Sequence, residues 1–229
     1  MVKNMSISDE QPLFVSIGEN CLADDILQRH GQKAFSTPYS FARSNIDYAI
    51  KLEETEYNTL LLPDNLYYSL NEHVVRSKII TECDQIYNFM HLNGFEFTHH
   101  DVIKDEKCIE SYKRKINRMK QLKNINRPIC FLYHYRYNDN MDIQKIIKKA
   151  ETFVNFYNLS AFVAIFYQNV QNKYRKLVHN KVTKRVISFE FFTPHIWQGS
   201  NQTIFFAKNE DDLIKIMLTE IQNFAHHKY

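Results

Sequence analysis

Four short runs of almost unbroken apolar residues constrain this chain more than any other feature: Leu13 to Ile17, Pro128 to Tyr133, Ala161 to Tyr167 and Arg185 to Phe192. A strand that is apolar on both sides must be covered on both faces, and that is the pattern of a buried parallel sheet. The intervening segments have helical spacing. Cys21 to His30 carries Leu22, Ala23, Ile26 and Leu27, with Gly31 as a natural stop. Ser44 or Asn45 can cap a helix running to about Glu54. Glu106 to Lys123 reads as a basic helix, Asp142 to Tyr157 as an amphipathic one, and Asp211 to Ala225 as the last. A further helix is expected near Cys83 to Asn93, ended by Gly94, and a short strand in Glu96 to Asp101. Leu66 to Ile80 reads as two short β-prone pieces forming a hairpin. The sequence therefore predicts one α/β domain over residues 1–229, with a mainly parallel central sheet, helices on both faces and a small peripheral β-hairpin. Residues 1–11 are expected to be flexible.

Composition narrows the function. With 29 basic and 26 acidic side chains the net charge is only +3, which argues against a nucleic-acid partner. The basic run from Lys113 to Lys123 reads as a solvated helix face. The polar start suggests no signal peptide, and no apolar run approaches the ~20 residues of a membrane span. The four cysteines lack paired spacing, so they read as reduced thiols in a cytoplasmic protein. No phosphate-cradling glycine loop, no metal-binding histidine spacing and no Gly-x-Ser-x-Gly elbow occurs. No cofactor is required on this reading.

The chemistry concentrates at Ser16-Ile17-Gly18-Glu19-Asn20-Cys21, where the first strand hands over to the first helix. Open parallel sheets gather ligands at that rim. A thiol there lies beside unpaired N–H groups and the positive end of a helix dipole, which favour the reactive thiolate. The same N–H groups, with the Asn20 side chain, could hold an oxyanion, while Gly18 permits the turn that presents Cys21. Against this, a free cysteine is more often packing than nucleophile, as expected of Cys130 inside its strand. A thiol nucleophile needs a base. His99-His100-Asp101 is best placed for it, His134 on the same rim is the reserve, and His195 a weaker one.

Phe14 to Cys21, Phe35-Ser36-Thr37-Pro38-Tyr39-Ser40-Phe41, His100-Asp101, the Tyr112/Arg114 helix, Tyr133 to Arg136 and Trp197-Gln198-Gly199 occur in an order that resembles a bacterial family described as papain-like cysteine peptidases. The resemblance implies Cys21 as nucleophile and His100 as base; Asn20, from the chemistry of the rim, and Asp101, next to His100, complete the expected catalytic set. Gly18, Glu19, Ser36, Arg43, Arg114, His134 and Arg136 are then the expected substrate-binding positions. The chain departs from the family at Ser40-Phe41, where an acidic-aromatic pair is usual, and at Val102, where Phe is usual. The Gly-x-Asn-Cys junction also shows a shorter similarity to Gly-Asn-Cys-Gln proteins of capsule polysaccharide synthesis. Both similarities imply acyl chemistry on a small-molecule or glycan substrate: a hydrolase if water accepts the acyl group, an acyltransferase with a donor such as acyl-CoA if a sugar hydroxyl does. Two other classes compete. One is a non-catalytic module binding phosphate or sugar at the same rim, with Arg43, Arg114 and Arg136 as charge partners. The other is a glycosyl- or phosphotransferase-like enzyme, which lacks support from any nucleotide loop.

Overall fold

The computed structural model describes residues 11–69, 74–80, 82–171, 174–181, 183–197 and 203–226. In chain order the elements are β1 (Leu13–Ser16), α1 (Leu22–Arg29), α2 (Ile46–Glu54), β2 (Leu66–Tyr68), β3 (Val75–Ser77), β4 (Phe95–Glu96) and α3 (Glu106–Leu122). They continue with β5 (Ile129–Tyr135), α4 (Ile143–Val154), β6 (Ala161–Val170), β7 (Lys176–Lys181), β8 (Val186–Thr193), α5 (Thr203–Asn209) and α6 (Asp211–His226).

The apolar runs form the sheet that their two-sided hydrophobicity demands. Its order is β1-β5-β6-β8-β7, with the first four parallel and β7 antiparallel at the edge. Side-chain alternation sends Leu13, Val15, Phe131 and Val163 to one face, where they pack with residues of α2, α3 and α4. Phe14, Leu132, Phe162 and Ala164 go to the other, against α1 and α6. Both faces are covered, and each fully buried Phe or Ile contributes about 1.5–3 kcal/mol through removal from water.

The peripheral hairpin forms, with Leu66 opposite Ser77 and Tyr68 opposite Val75, and gains β4 as a third strand through Arg76 opposite Glu96. The strand expected in Glu96 to Asp101 is limited to Phe95–Glu96. The helix expected near Cys83 to Asn93 does not form; only a 3-10 turn at Phe89–His91 is present. Side chains from elsewhere take up the carbonyls of that segment: Tyr135 and Asn138 donate to Ile86, Asn45 to His91 and Tyr48 to Leu92. With those acceptors engaged from outside, the backbone is held irregular by its surroundings. Strand β7 and helix α5 lie beyond the sequence expectation. Gln198 and Gly199, quoted for the family resemblance, lie outside the described residues.

Candidate active site

Strand β1 ends at Ser16, and the pairing with β5 continues past it, with Ile17 and Glu19 donating to Leu132 and His134 carbonyls. Gly18 then takes φ +124°, a conformation that L side chains rarely adopt, and the chain turns into α1 with Cys21 as its N-cap. A 3-10 turn at Pro38–Phe41 is fastened to the same place, because Thr37 donates its hydroxyl to the Ser16 carbonyl and caps the turn at Tyr39. The backbone N–H of Ser44 donates to the Glu19 carbonyl. These ties set Phe41, Ala42 and Arg43 beside Cys21.

The result is a narrow cleft of about 80 Å³. Asn20, Cys21, Phe41, Ala42 and Arg43 form one part of its lining, and Met90, Thr98, His99, Arg136 and Trp197 the rest. Cys21 and His99 thus share one wall system with two guanidinium groups. Arg43 Nη1 stands 3.3 Å from Glu96 Oε2. Arg136 lies 5.2 Å over the Trp197 ring with Nη1 3.3 Å from Met90 Sδ. Burial, then repulsion from Arg43, lowers the Arg136 pKa from its usual value.

The thiol is half-buried, and burial pushes its pKa up. Its own backbone N–H and Arg43 act in the opposite direction, while Asp25 and Asp24 in the first turn of α1 add to the rise. The helix end expected to favour thiolate is outweighed, so in the unliganded protein the sulfur holds its proton.

Asn20 does not present its carboxamide oxygen to the cleft. Oδ1 accepts the Leu22 N–H at 3.0 Å, which assigns Nδ2 as donor to His134 Nδ1 at 3.1 Å. His134 Nε2 then donates to Gln168 Oε1 at 3.2 Å. This imidazole is fully buried, stacked on Phe166, and burial holds its pKa down to about 3. The reserve base is therefore a neutral strut with both nitrogens engaged. Glu19 is sealed below, accepting Tyr133 Oη at 2.7 Å and the Arg136 N–H at 3.1 Å, and burial raises its carboxyl to about 8. A carboxyl raised in this way contributes its full stability below its ordinary value of 4.5 and loses it as pH climbs through about 8. Glu19→Gln should accordingly flatten the fall in folding stability across that window, read from denaturant midpoints at each pH. Parallel curves for the two proteins would mean that the carboxyl is already ionised.

The remaining expected positions separate. His100 does not line the cleft: its ring lies edge-to-face on Tyr112 at 5.3 Å and tilted against Phe41 at 6.3 Å. Its pKa is lowered, chiefly by burial and then by Lys115 and His99. Asp101 caps the turn after it, accepting N–H groups of Ile103 and Lys104 and the Tyr68 hydroxyl. Arg114 is on the exposed side of α3, whereas Lys115 and Arg118 turn inward and Arg118 donates to the Ser36 carbonyl. His195 bonds the buried Glu210 at 2.7 Å and does not line the cleft. Met90 and Thr98 had no signal in the sequence. Among the described residues, no group of three His, Cys, Asp or Glu stands where it could hold a metal ion, and no helix is long and apolar enough to cross a membrane.

Fold and cleft together describe an α/β protein with a reachable thiol at the crest of a parallel sheet. The chain belongs to the family described as "Putative papain-like cysteine peptidase (DUF1796)", whose model matches residues 12–166. That membership supports a cysteine-hydrolase type of enzyme. No curated protein and no solved structure matches the chain.

Proposed function

We propose that the cleft carries out acyl transfer through Cys21, on a substrate bearing a negative charge near the scissile carbonyl. The observation that supports this most is the placing of Cys21, His99, Arg43 and Arg136 around one small cavity. Because the resting thiol is protonated, attack requires the proton to leave as the C–S bond forms, and His99 on the cleft wall is the residue assigned to take it. The tetrahedral oxyanion faces the Cys21 N–H and the two guanidinium groups. Collapse expels the leaving group, which recovers the proton from His99, and leaves a thioester on Cys21. Water then attacks the thioester, with His99 as base, and the thiol is regenerated. A sugar hydroxyl in place of water would make the same intermediate serve an O-acyltransferase, the activity that the similarity to capsule-synthesis proteins suggests, with acyl-CoA as a fitting donor.

The assignment of His99 over His100 rests on which ring lines the cleft. His99→Ala should lower turnover of an activated ester by about 10²–10⁴-fold, the usual contribution of a positioned acid or base. His100→Ala should cost far less, since it alters packing on Phe41 and Tyr112. If the two losses are reversed, the base is His100 and Phe41 must move to admit it.

The raised thiol pKa and the paired arginines also suit a second reading, a module that binds an anion without chemistry. Cys21→Ser would then leave affinity for that anion unchanged.

A further inference from the structure

The cleft that holds Cys21 is small, about 80 Å³, so a substrate of any size extends beyond it. The surface on one side is already shaped. A broad shelf of about 600 Å³ adjoins the cleft and shares two of its wall residues, Arg136 and Trp197. The guanidinium of Arg136, 5.2 Å over the Trp197 ring, is thus a wall common to both.

The shelf's chemistry is specific. Phe89 and Tyr137 stand on it, and Phe89 is 73% exposed, a large ring that the core does not use. Asn88 and Asn138 brace the platform: Asn88 donates to the Tyr137 carbonyl, and Asn138 to the Ile86 and Arg136 carbonyls. Gln85, Asp139 and Asn140 are exposed at its surface. Trp197 supplies an independent sign of a missing partner. Its side chain is only 4% exposed, yet its Nε1 has no acceptor among the described residues. A buried indole N–H ordinarily finds an oxygen, so this unpartnered donor marks the wall common to the two cavities as incompletely satisfied.

Flat, wet-sided aromatic rings flanked by neutral amides suit a ligand with apolar C–H faces and many hydroxyls. They do not suit a phosphate, which would want several cations or converging N–H groups where Arg136 is the one cation lining the shelf among the described residues. An extended peptide would want an open strand edge, and at this rim β5 and β6 are paired on both sides. We infer that the shelf is a carbohydrate subsite that holds the sugar part of the substrate of Cys21, with a pyranose ring on Phe89 and Tyr137. The inference rests on the acyl reading for its link to Cys21, and on the shelf alone for sugar binding.

The chain has one tryptophan, so its emission reports on this wall directly. The full chain is titrated with neutral trisaccharides of glucose, galactose, mannose and N-acetylglucosamine, and in parallel with uridine monophosphate, inorganic phosphate and an N-acetylated hexapeptide. At least one trisaccharide should change Trp197 emission saturably. Phe89→Ala and Asn140→Ala, both at exposed positions, should each weaken that binding roughly tenfold, as loss of an aromatic or polar contact does. Cys21→Ser should bind as the parent does. Absence of binding by all four saccharides overturns the inference. So does saccharide binding that is indifferent to Phe89 and Asn140, or binding of the nucleotide or peptide in place of sugar. Mass spectrometry after treatment with an activated acetyl ester reads the acyl step separately. Sugar binding without a Cys21 adduct retires the acyl reading and leaves the subsite; an adduct without sugar binding retires the subsite alone.

Discussion

Cys21→Ser should lower hydrolysis of an activated thioester by at least three orders of magnitude, with the melting temperature almost unchanged. The two halves of that expectation have separate origins. Serine keeps the geometry of the N-cap but replaces a thiol by a far weaker acid, and nothing in the cleft compensates: the surroundings push even the thiol pKa upward. The fold barely feels the change, because the side chain is half-buried at the end of α1 and forms no part of the helix ladder. Substitutions of that sort usually stay within about 0.5 kcal/mol. Intact-mass measurement of the parent protein during turnover should show one acyl increment, mapped by proteolysis to the peptide containing Cys21. Equal turnover by the serine variant, or an increment on Cys83 or Cys108 in its place, would remove Cys21 from the mechanism.

The largest effect on stability is expected at Glu53, far from the thiol. Its carboxylate is buried between α2 and the end of α4. Oε1 accepts the Tyr57 hydroxyl at 2.7 Å and the Tyr157 hydroxyl as well, and Oε2 pairs with Lys123 Nζ at 3.0 Å. Tyr39, from the 3-10 turn beside the cleft, joins through Tyr57 at 3.2 Å. Glu53→Ala would leave two buried phenols without their acceptor and a lysine without its partner. Leaving a buried polar group unsatisfied costs about 1–3 kcal/mol, and two such phenols in a chain of this size lower the melting temperature by roughly 10 °C. Glu53→Gln keeps one acceptor and should recover part of the loss. A shift of only a degree or two in the alanine variant would mean that the phenols find water or turn to one another.

Much of this architecture can be read in the chain before folding is considered. Leu13 to Ile17, the segment from Pro128 and Ala161 to Tyr167 announce themselves because a strand buried on both faces has no polar side to obscure it. The turn into α1 is visible because glycine is scarce, with four in the chain, and Gly18 directly follows an apolar run. Strand β7 is opaque for the opposite reason. It reads Lys-Leu-Val-His-Asn-Lys, an edge strand bonded on one side to β8, and its polar residues resemble a loop. The segment from Cys83 to Asn93 misleads, since it reads as a helix ended by Gly94 while the partners that hold it otherwise come from β5 and from the cap and first turn of α2.

The candidate site divides along the same line. Cys21, Arg43 and Arg136 could be picked out because each follows a recognisable rim or turn. The choice between His99 and His100 could not, because the pair lies in a turn closed by the His100 N–H on the Phe97 carbonyl, and only the packing of Phe41 and Tyr112 shows which ring faces the cleft. Met90, Thr98 and Trp197 reach the same cavity from separate parts of the chain, and no local pattern reports that meeting.

The strut formed by Asn20, His134 and Gln168 bears on how kinetics of this protein can be interpreted. Its imidazole is uncharged down to about pH 3, and the neighbouring carboxyl of Glu19 keeps its proton up to about pH 8. Acidifying the solution from neutrality therefore leaves the floor beneath the sulfur electrically still. A change in rate across that range would thus have its origin outside this strut.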